Sequence, residues 1–301
     1  MSAPARTPTS TSTAVCVAVA VLEVGMARPV EGTVRMSRSD LVYVELEGGF
    51  VAALEHASAP RTPTGVYVDD RTDLTSWTVG SAVCADSGVL TGPGPVIVWD
   101  DRTTVYDGTV GRIPTSAELF VQELMRMLGV RAEYDCPVCA LVGGNDLWSR
   151  PGVRSALHAL ALRSPRAPFA GEHLDRLLGL GPGLTPESDD LIVGAALAQR
   201  AVGVVVDDAL GVDALERRVR RATTALSGTW LRAAAEGRAV EPLRALLAGV
   251  PGSESWEIEV KRLLAVGSST GRSMLTGATL GMVGTTQESA VRTCEHEVRA
   301  R

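Results

Sequence analysis

The residues best suited to chemistry lie in one run, Gly179-Leu180-Gly181-Pro182-Gly183-Leu184-Thr185-Pro186-Glu187-Ser188-Asp189-Asp190. Glycines at alternate positions let a backbone bend sharply and approach a ligand with no Cβ in the way. Thr185 suits a helix N-cap and Pro186 the first helical position. The segment that follows, 191–198, is apolar and small, as a buried helix requires. Free N–H groups at such a turn and helix start favour an anion. The structural alternative is a well-capped turn between two helices, and spacing alone does not separate the two.

The type of anion is constrained by what is missing. No Gly-Lys-Ser/Thr follows the glycines, so this is not a phosphate loop of the nucleotide-hydrolase kind. The spacing is also wrong for a dinucleotide fingerprint, and a helix rather than a strand is expected ahead of it. Asp189 and Asp190 suit the first turn of a helix electrostatically. Beside a bare anion they would repel it. They must therefore point away, hold a divalent cation such as Mg²⁺, or accept N–H bonds. A ligand that carries both an NH₂ group and an oxyanion would satisfy the whole turn.

A second polar cluster, Gly267-Ser268-Ser269-Thr270-Gly271-Arg272-Ser273, leads into another small-residue segment with Gly277 and Gly281. Arg272 adds a charge suited to a carboxylate or phosphate. In isolation it is one more capped helix start. Two such starts in one helical region suggest N-termini that share a site. Thr223 and Ser227 are expected one turn apart on a long helix ending at Gly237, where hydroxyls usually bond back to carbonyls.

Other candidates are weaker. Cys136-Pro137-Val138-Cys139 could be a redox dithiol, but a zinc site needs two more ligands and none is spaced for it. The four histidines, His56, His158, His173 and His296, show no metal-like spacing. Lys261 is the only lysine, which excludes most lysine chemistry.

The elements that must position these residues read as α+β. Segments 15–24, 32–36, 41–46, 65–68, 79–84 and 96–99 are short and rich in β-branched residues, with Gly, Pro and Asp between them. They predict a β-rich sheet or small barrel. Helical spacing dominates from residue 115: 116–128, 153–162, 173–178, 189–201, 209–235, 242–247, 256–266 and 273–283. The expected organisation is a Pro/Ser/Thr-rich tail over 1–13, a β-rich domain over 14–110, and a mainly helical domain over 111–301 that carries the glycine turn.

With 301 residues, 45% hydrophobic and only 4% aromatic, the chain can bury a large core built from Ala, Val and Leu. A net charge of −6 argues against nucleic acid or an anionic membrane as partner. An odd number of cysteines, five, does not suit a secreted disulfide framework. No apolar run reaches membrane-spanning length. The run 14–22 is read as a strand rather than a signal peptide, so a cytoplasmic location is expected.

The pattern Gly179-x-Gly181-x-Gly183-Leu184-Thr185-Pro186-x-x-Asp189-Asp190-x-x-x-Gly194 resembles the signature of the DUF2877 family, which includes the AllH-type subunit of oxamate carbamoyltransferase. Ser268-Ser269-Thr270-Gly271 with Gly277, and Thr223-Thr224-x-x-Ser227, recur at similar separation. The chain departs from that pattern at Glu187-Ser188, where the family usually has Ser-Gly, and at Ser273, where it usually has Asp.

The resemblance implies a multi-subunit enzyme of allantoin breakdown, with FdrA-like and DUF1116-like partner subunits. It would exchange a carbamoyl group between a ureido acid such as oxalurate and phosphate, giving oxamate and carbamoyl phosphate. On that reading Gly181, Gly183 and Thr185 donate N–H or hydroxyl bonds to the oxyanion, and Leu184 and Ser188 are further substrate-binding residues. Asp189 and Asp190 are the catalytic pair and hold the carbamoyl NH₂ or Mg²⁺. Ser268, Ser269, Thr270, Gly271 and Arg272 hold the carboxylate or phosphate. A homo-oligomer is compatible with this reading. The alternatives are a non-catalytic small-anion-binding or regulatory subunit and, more remotely, a redox or metal protein using Cys136 and Cys139.

Overall fold

A computed structural model describes residues 10–25, 28–130, 141, 148, 150–162, 171–204 and 212–286. The chain divides into two compact units between Gly108 and Thr109. The fold class is α+β, strands first and helices after.

The first unit is a nearly closed sheet. Its strands are β1 (Thr11–Ala18), β2 (Val30–Ser37), β3 (Leu41–Leu46), β4 (Val51–His56), β5 (Gly65–Val68), β6 (Ala82–Asp86), β7 (Val89–Thr91), β8 (Val96–Val98) and β9 (Thr104–Tyr106). Their order is β5-β4-β3-β2-β6-β7-β8-β1-β9. β1 closes the ring by pairing antiparallel with β5 while its first residues run parallel to β8. Eight strands thus form a barrel, and β9 extends from the second half of β1. Closure removes the free edges that an open sheet would expose.

Alternation decides the faces of this barrel. Val42, Val44 and Leu46 of β3 and Ala52 and Leu54 of β4 enter the core with Val66, Val68, Trp77 and Ile97. Ser87 (φ 47°) and Gly88 (φ 84°) make the two-residue turn between β6 and β7, the conformation that a right-twisted hairpin prefers.

Three expectations are corrected here. The strand over 15–24 begins earlier, at Thr11, inside the stretch read as tail, and stops at Ala18. It is followed by helix α1 (Val19–Gly25), whose Ala20 and Val21 join the barrel core. Burial there outweighs the β propensity of the valines. β4, β7 and β9 were not expected. Ala52, Ala53, Leu54 and Glu55 are good helix formers, yet β4 is held between β3 and β5.

The second unit is helical. It contains α2 (Ala117–Met127), α3 (Pro151–Leu162), α4 (Gly171–Leu177), α5 (Glu187–Ala201), α6 (Val212–Ala222), α7 (Ala225–Ala235), α8 (Glu241–Ala248), α9 (Glu254–Leu264) and α10 (Thr270–Thr286). At its centre α5 and α10 pack backbone to backbone. A Cβ on Gly194 would lie 2.0 Å from the Met274 carbonyl oxygen, and one on Gly277 1.9 Å from that of Leu191. Only glycine allows helices this close, because the side chains at the contact set the interaxial distance. No helix among the described residues is long and apolar enough to cross a membrane.

The long helix expected to end at Gly237 is two helices. It breaks at Thr223-Thr224, where the Thr224 hydroxyl accepts the Ser227 N–H at 3.1 Å and starts α7. Gly228 lets α7 turn back against α6, since a Cβ there would lie 2.2 Å from Val219 Cγ1.

Candidate functional site

The glycine turn is folded back onto the start of α5. The Leu180 N–H donates to Ser188 Oγ at 2.9 Å, and the Ser188 hydroxyl donates to the Leu180 carbonyl at 2.9 Å. The Ser188 N–H reaches the same carbonyl at 3.1 Å. Further along, the Thr224 hydroxyl donates to the Leu184 carbonyl at 2.6 Å, which ties the turn to the α6–α7 break. Gly179, Gly181 and Gly183 adopt φ of 74°, 110° and 104°, in the left-handed region that favours glycine. No hydrogen bond among the described residues engages the backbone N–H of Gly181, Gly183 or Leu184. Leu184 is 53% exposed at the tip of this turn.

Pro186, not Thr185, occupies the N-cap of α5, and it offers no side-chain cap. The Thr185 hydroxyl goes elsewhere, to the Thr270 hydroxyl at 3.0 Å. This bond joins the start of α5 to the start of α10. The second polar cluster was expected to lead into a helix at residue 273. α10 begins three residues earlier, so Thr270, Gly271, Arg272 and Ser273 form its first turn.

The two aspartates are buried, each 1% exposed, but they are bonded differently. Asp189 Oδ1 accepts the Gly179 N–H at 2.8 Å, and Oδ2 accepts the Thr223 hydroxyl in a short hydrogen bond. Burial raises its carboxyl above the ordinary value, while Gly179, Thr223 and Ser227 favour the charged form. Ser227 does this without meeting hydrogen-bond geometry itself. Asp190 Oδ2 has no hydrogen-bond partner at all. Burial pushes the Asp190 carboxyl up to about 7; the Thr185 and Thr270 hydroxyls oppose that shift, and the nearby Asp189 and Glu187 charges add to it.

Of the residues singled out in the sequence, the structure brings together Thr185, Ser188, Asp189, Asp190 and Thr270. Gly271 has a packing role: a Cβ there would lie 1.7 Å from the Leu263 carbonyl oxygen, so it seats α10 against the end of α9. Ser268 and Arg272 are exposed and Ser269 is half-buried. None of these three hydrogen-bonds to the carboxylate pair in the described structure. Thr223 and Thr224, read in the sequence as a helix motif and not as site residues, join the site through Asp189 and the Leu184 carbonyl. The signal was a pair of β-branched hydroxyl residues interrupting a helical pattern, which also reads as a helix break.

Among the described residues no group of three or more His, Cys, Asp or Glu side chains is placed to hold a metal ion. Both oxygens of Asp189 are already bonded, so the pair does not present two open carboxylates to a cation such as Mg²⁺. Cys136 and Cys139 lie outside the described residues. His56 Nε2 lies 3.1 Å from the Thr72 carbonyl oxygen, and His158 is lowered by burial first and by Arg154 second.

The fold and the site define a class. This is a barrel-plus-helices chain whose polar centre is built from two helix starts, a glycine turn and an unmatched buried carboxyl, with no nucleotide loop. Residues 177–282, roughly a third of the chain, match the family described as oxamate carbamoyltransferase subunit AllH. That match spans the glycine turn, the α6–α7 break and all but the last turn of α10. No solved structure matches the chain.

Proposed function

We propose that the chain is a subunit of a carbamoyltransferase-like enzyme, acting on a small ureido acid and phosphate at the joined starts of α5 and α10. The observation that carries this is Asp190 Oδ2, a buried carboxyl oxygen with no partner inside the matched segment. Buried polar atoms are almost always bonded, and an exception calls for a missing partner. An N–H of a ureido or carbamoyl group supplies that partner. The free amides of Gly181, Gly183 and Leu184 suit the oxyanion of the same ligand. A neutral or anionic carboxyl near pH 7 can either accept that N–H or protonate a leaving nitrogen.

In the proposed reaction a phosphate oxygen attacks the ureido carbonyl. The new C–O bond forms, the C–N bond breaks, and the proton lost by phosphate ends on the leaving amide nitrogen. The products are carbamoyl phosphate and an amide such as oxamate. Positioning and oxyanion stabilisation suffice for such a transfer, so no nucleophilic side chain is required.

The partners on this reading are FdrA-like and DUF1116-like subunits, in a cytoplasmic complex of allantoin and purine breakdown. Co-expression and affinity purification test it. The account expects a stable complex that forms carbamoyl phosphate from oxalurate and phosphate only when this chain is included. A complex equally active without it would leave the anion-binding, regulatory reading in place.

A further inference from the structure

We propose that the two adjacent aspartates have separate roles: Asp190 is the residue that touches the ligand, through Oδ2 and a ligand N–H, and Asp189 is a positioning residue. This rests on the functional reading above and divides a pair that the sequence presents as equivalent. Both oxygens of Asp189 are already engaged within the fold. Its two bonds, to the Gly179 N–H and the Thr223 hydroxyl, fasten the start of the glycine turn to the end of α6. The backbones meet closely there, since a Cβ on Gly179 would lie 2.0 Å from the Ala222 carbonyl oxygen. Asp189 therefore sets where the free amides of the turn lie.

Asp190 is the opposite case. It is buried and its Oδ2 is unmatched; the hydroxyls on either side, Thr185 and Thr270, share one bond that takes one of their two protons, and both favour its charged form. The charges that act on it are those of Asp189 and Glu187, both anionic, and α10 presents it only the Thr270 hydroxyl. An unmatched acceptor beside two like charges is a poor structural device. It is a good receptor for a carbamoyl NH₂, which offers two N–H donors where inorganic phosphate offers only its own O–H. The specificity that follows is for carbamoyl phosphate over inorganic phosphate.

Titration calorimetry of the full-length chain with carbamoyl phosphate and with inorganic phosphate, alongside thermal melts, tests the division. Asp190→Asn and Asp190→Ala should weaken carbamoyl phosphate about tenfold or more, the scale of a lost hydrogen bond to a charged group. Phosphate affinity should hold or improve, and the melting temperature should not fall. Asp189→Asn and Thr223→Val should lower the melting temperature and weaken both ligands by the same factor, with the double variant no worse than either single one. Thr223→Ser should restore both properties.

An unchanged ratio of the two affinities in Asp190→Asn overturns the proposal, as do equal melting losses for the two aspartates. If the unsubstituted chain binds neither ligand, the functional reading fails. The melts then judge the division by themselves: a loss confined to Asp189→Asn and Thr223→Val supports it, and any other pattern contradicts it.

Discussion

Asp190 sets the residue-scale test, because its raised carboxyl makes a stability prediction with a definite sign. In the unfolded chain its pKa is about 3.9. In the folded chain it is about 7. Between those values the folded state binds more protons than the unfolded state, so this residue's contribution to stability is lost as pH rises through that window. Asp190→Asn removes the titration. The variant should match the original protein near pH 4 and be more stable above pH 7, by on the order of 2 kcal/mol or several degrees. Glu55, which burial also raises to about 7, is common to both proteins and cancels in the difference. A melting difference that stays flat between pH 4 and 8 would mean that Asp190 is not held near neutrality.

Part of this site was legible in the sequence. The alternate glycines and the Asp-Asp pair at a helix start marked the place. The inequality of the aspartates was not legible, because it depends on Thr223 and Thr270, 34 and 80 or more residues away. Pro186 was read one position too far into its helix. Thr185 looked like a cap only because its real partner lies on another helix. Ser268, Ser269 and Arg272 shared a motif with Thr270, yet a helix start presents its residues in several directions and only Thr270 is turned to the carboxylates.

At the scale of elements, the site depends on how closely α5 and α10 pack. Gly277→Ala places a Cβ 1.9 Å from the Leu191 carbonyl oxygen, on backbone that cannot yield cheaply. The two helix starts would be forced apart. The expected cost is about 2–4 kcal/mol, comparable to severe overpacking, together with loss of ligand binding at temperatures where the chain is still folded. Thermal melts paired with phosphate titration measure both. Normal stability and binding would show that the contact yields without disturbing the site. A milder change, Thr224→Ala, removes both the α7 cap and the bond to the Leu184 carbonyl, and should cost about 1–2 kcal/mol in the same melts.

Helices were more legible than strands for a physical reason. Helical spacing is local, and α2 to α10 all lie in or overlap segments where that spacing was read. β4 and α1 are decided by what packs on them. The α6–α7 break is a local event, but its polar residues were equally compatible with the surface of a continuous helix.

For the whole molecule, the β-then-helix order was readable from composition, and the alternative of a small barrel was the one realised. Barrel closure was not readable, because β1 pairs with strands some fifty and eighty residues away. The acidic net charge of −6 agrees with a ligand chosen by hydrogen bonds inside one unit rather than by a basic surface. The matched segment covers the helical site and leaves the barrel unassigned.

The central claim is that the joined starts of α5 and α10 bind the group transferred. Carbamoyl phosphate formation by the assembled complex, measured with the original chain and with Asp190→Asn, tests it most directly. The account predicts an intact complex whose rate falls about a hundredfold, the scale of a lost charge-assisted contact in a transition state. A complex with Asp190→Asn that retains its full rate would contradict it.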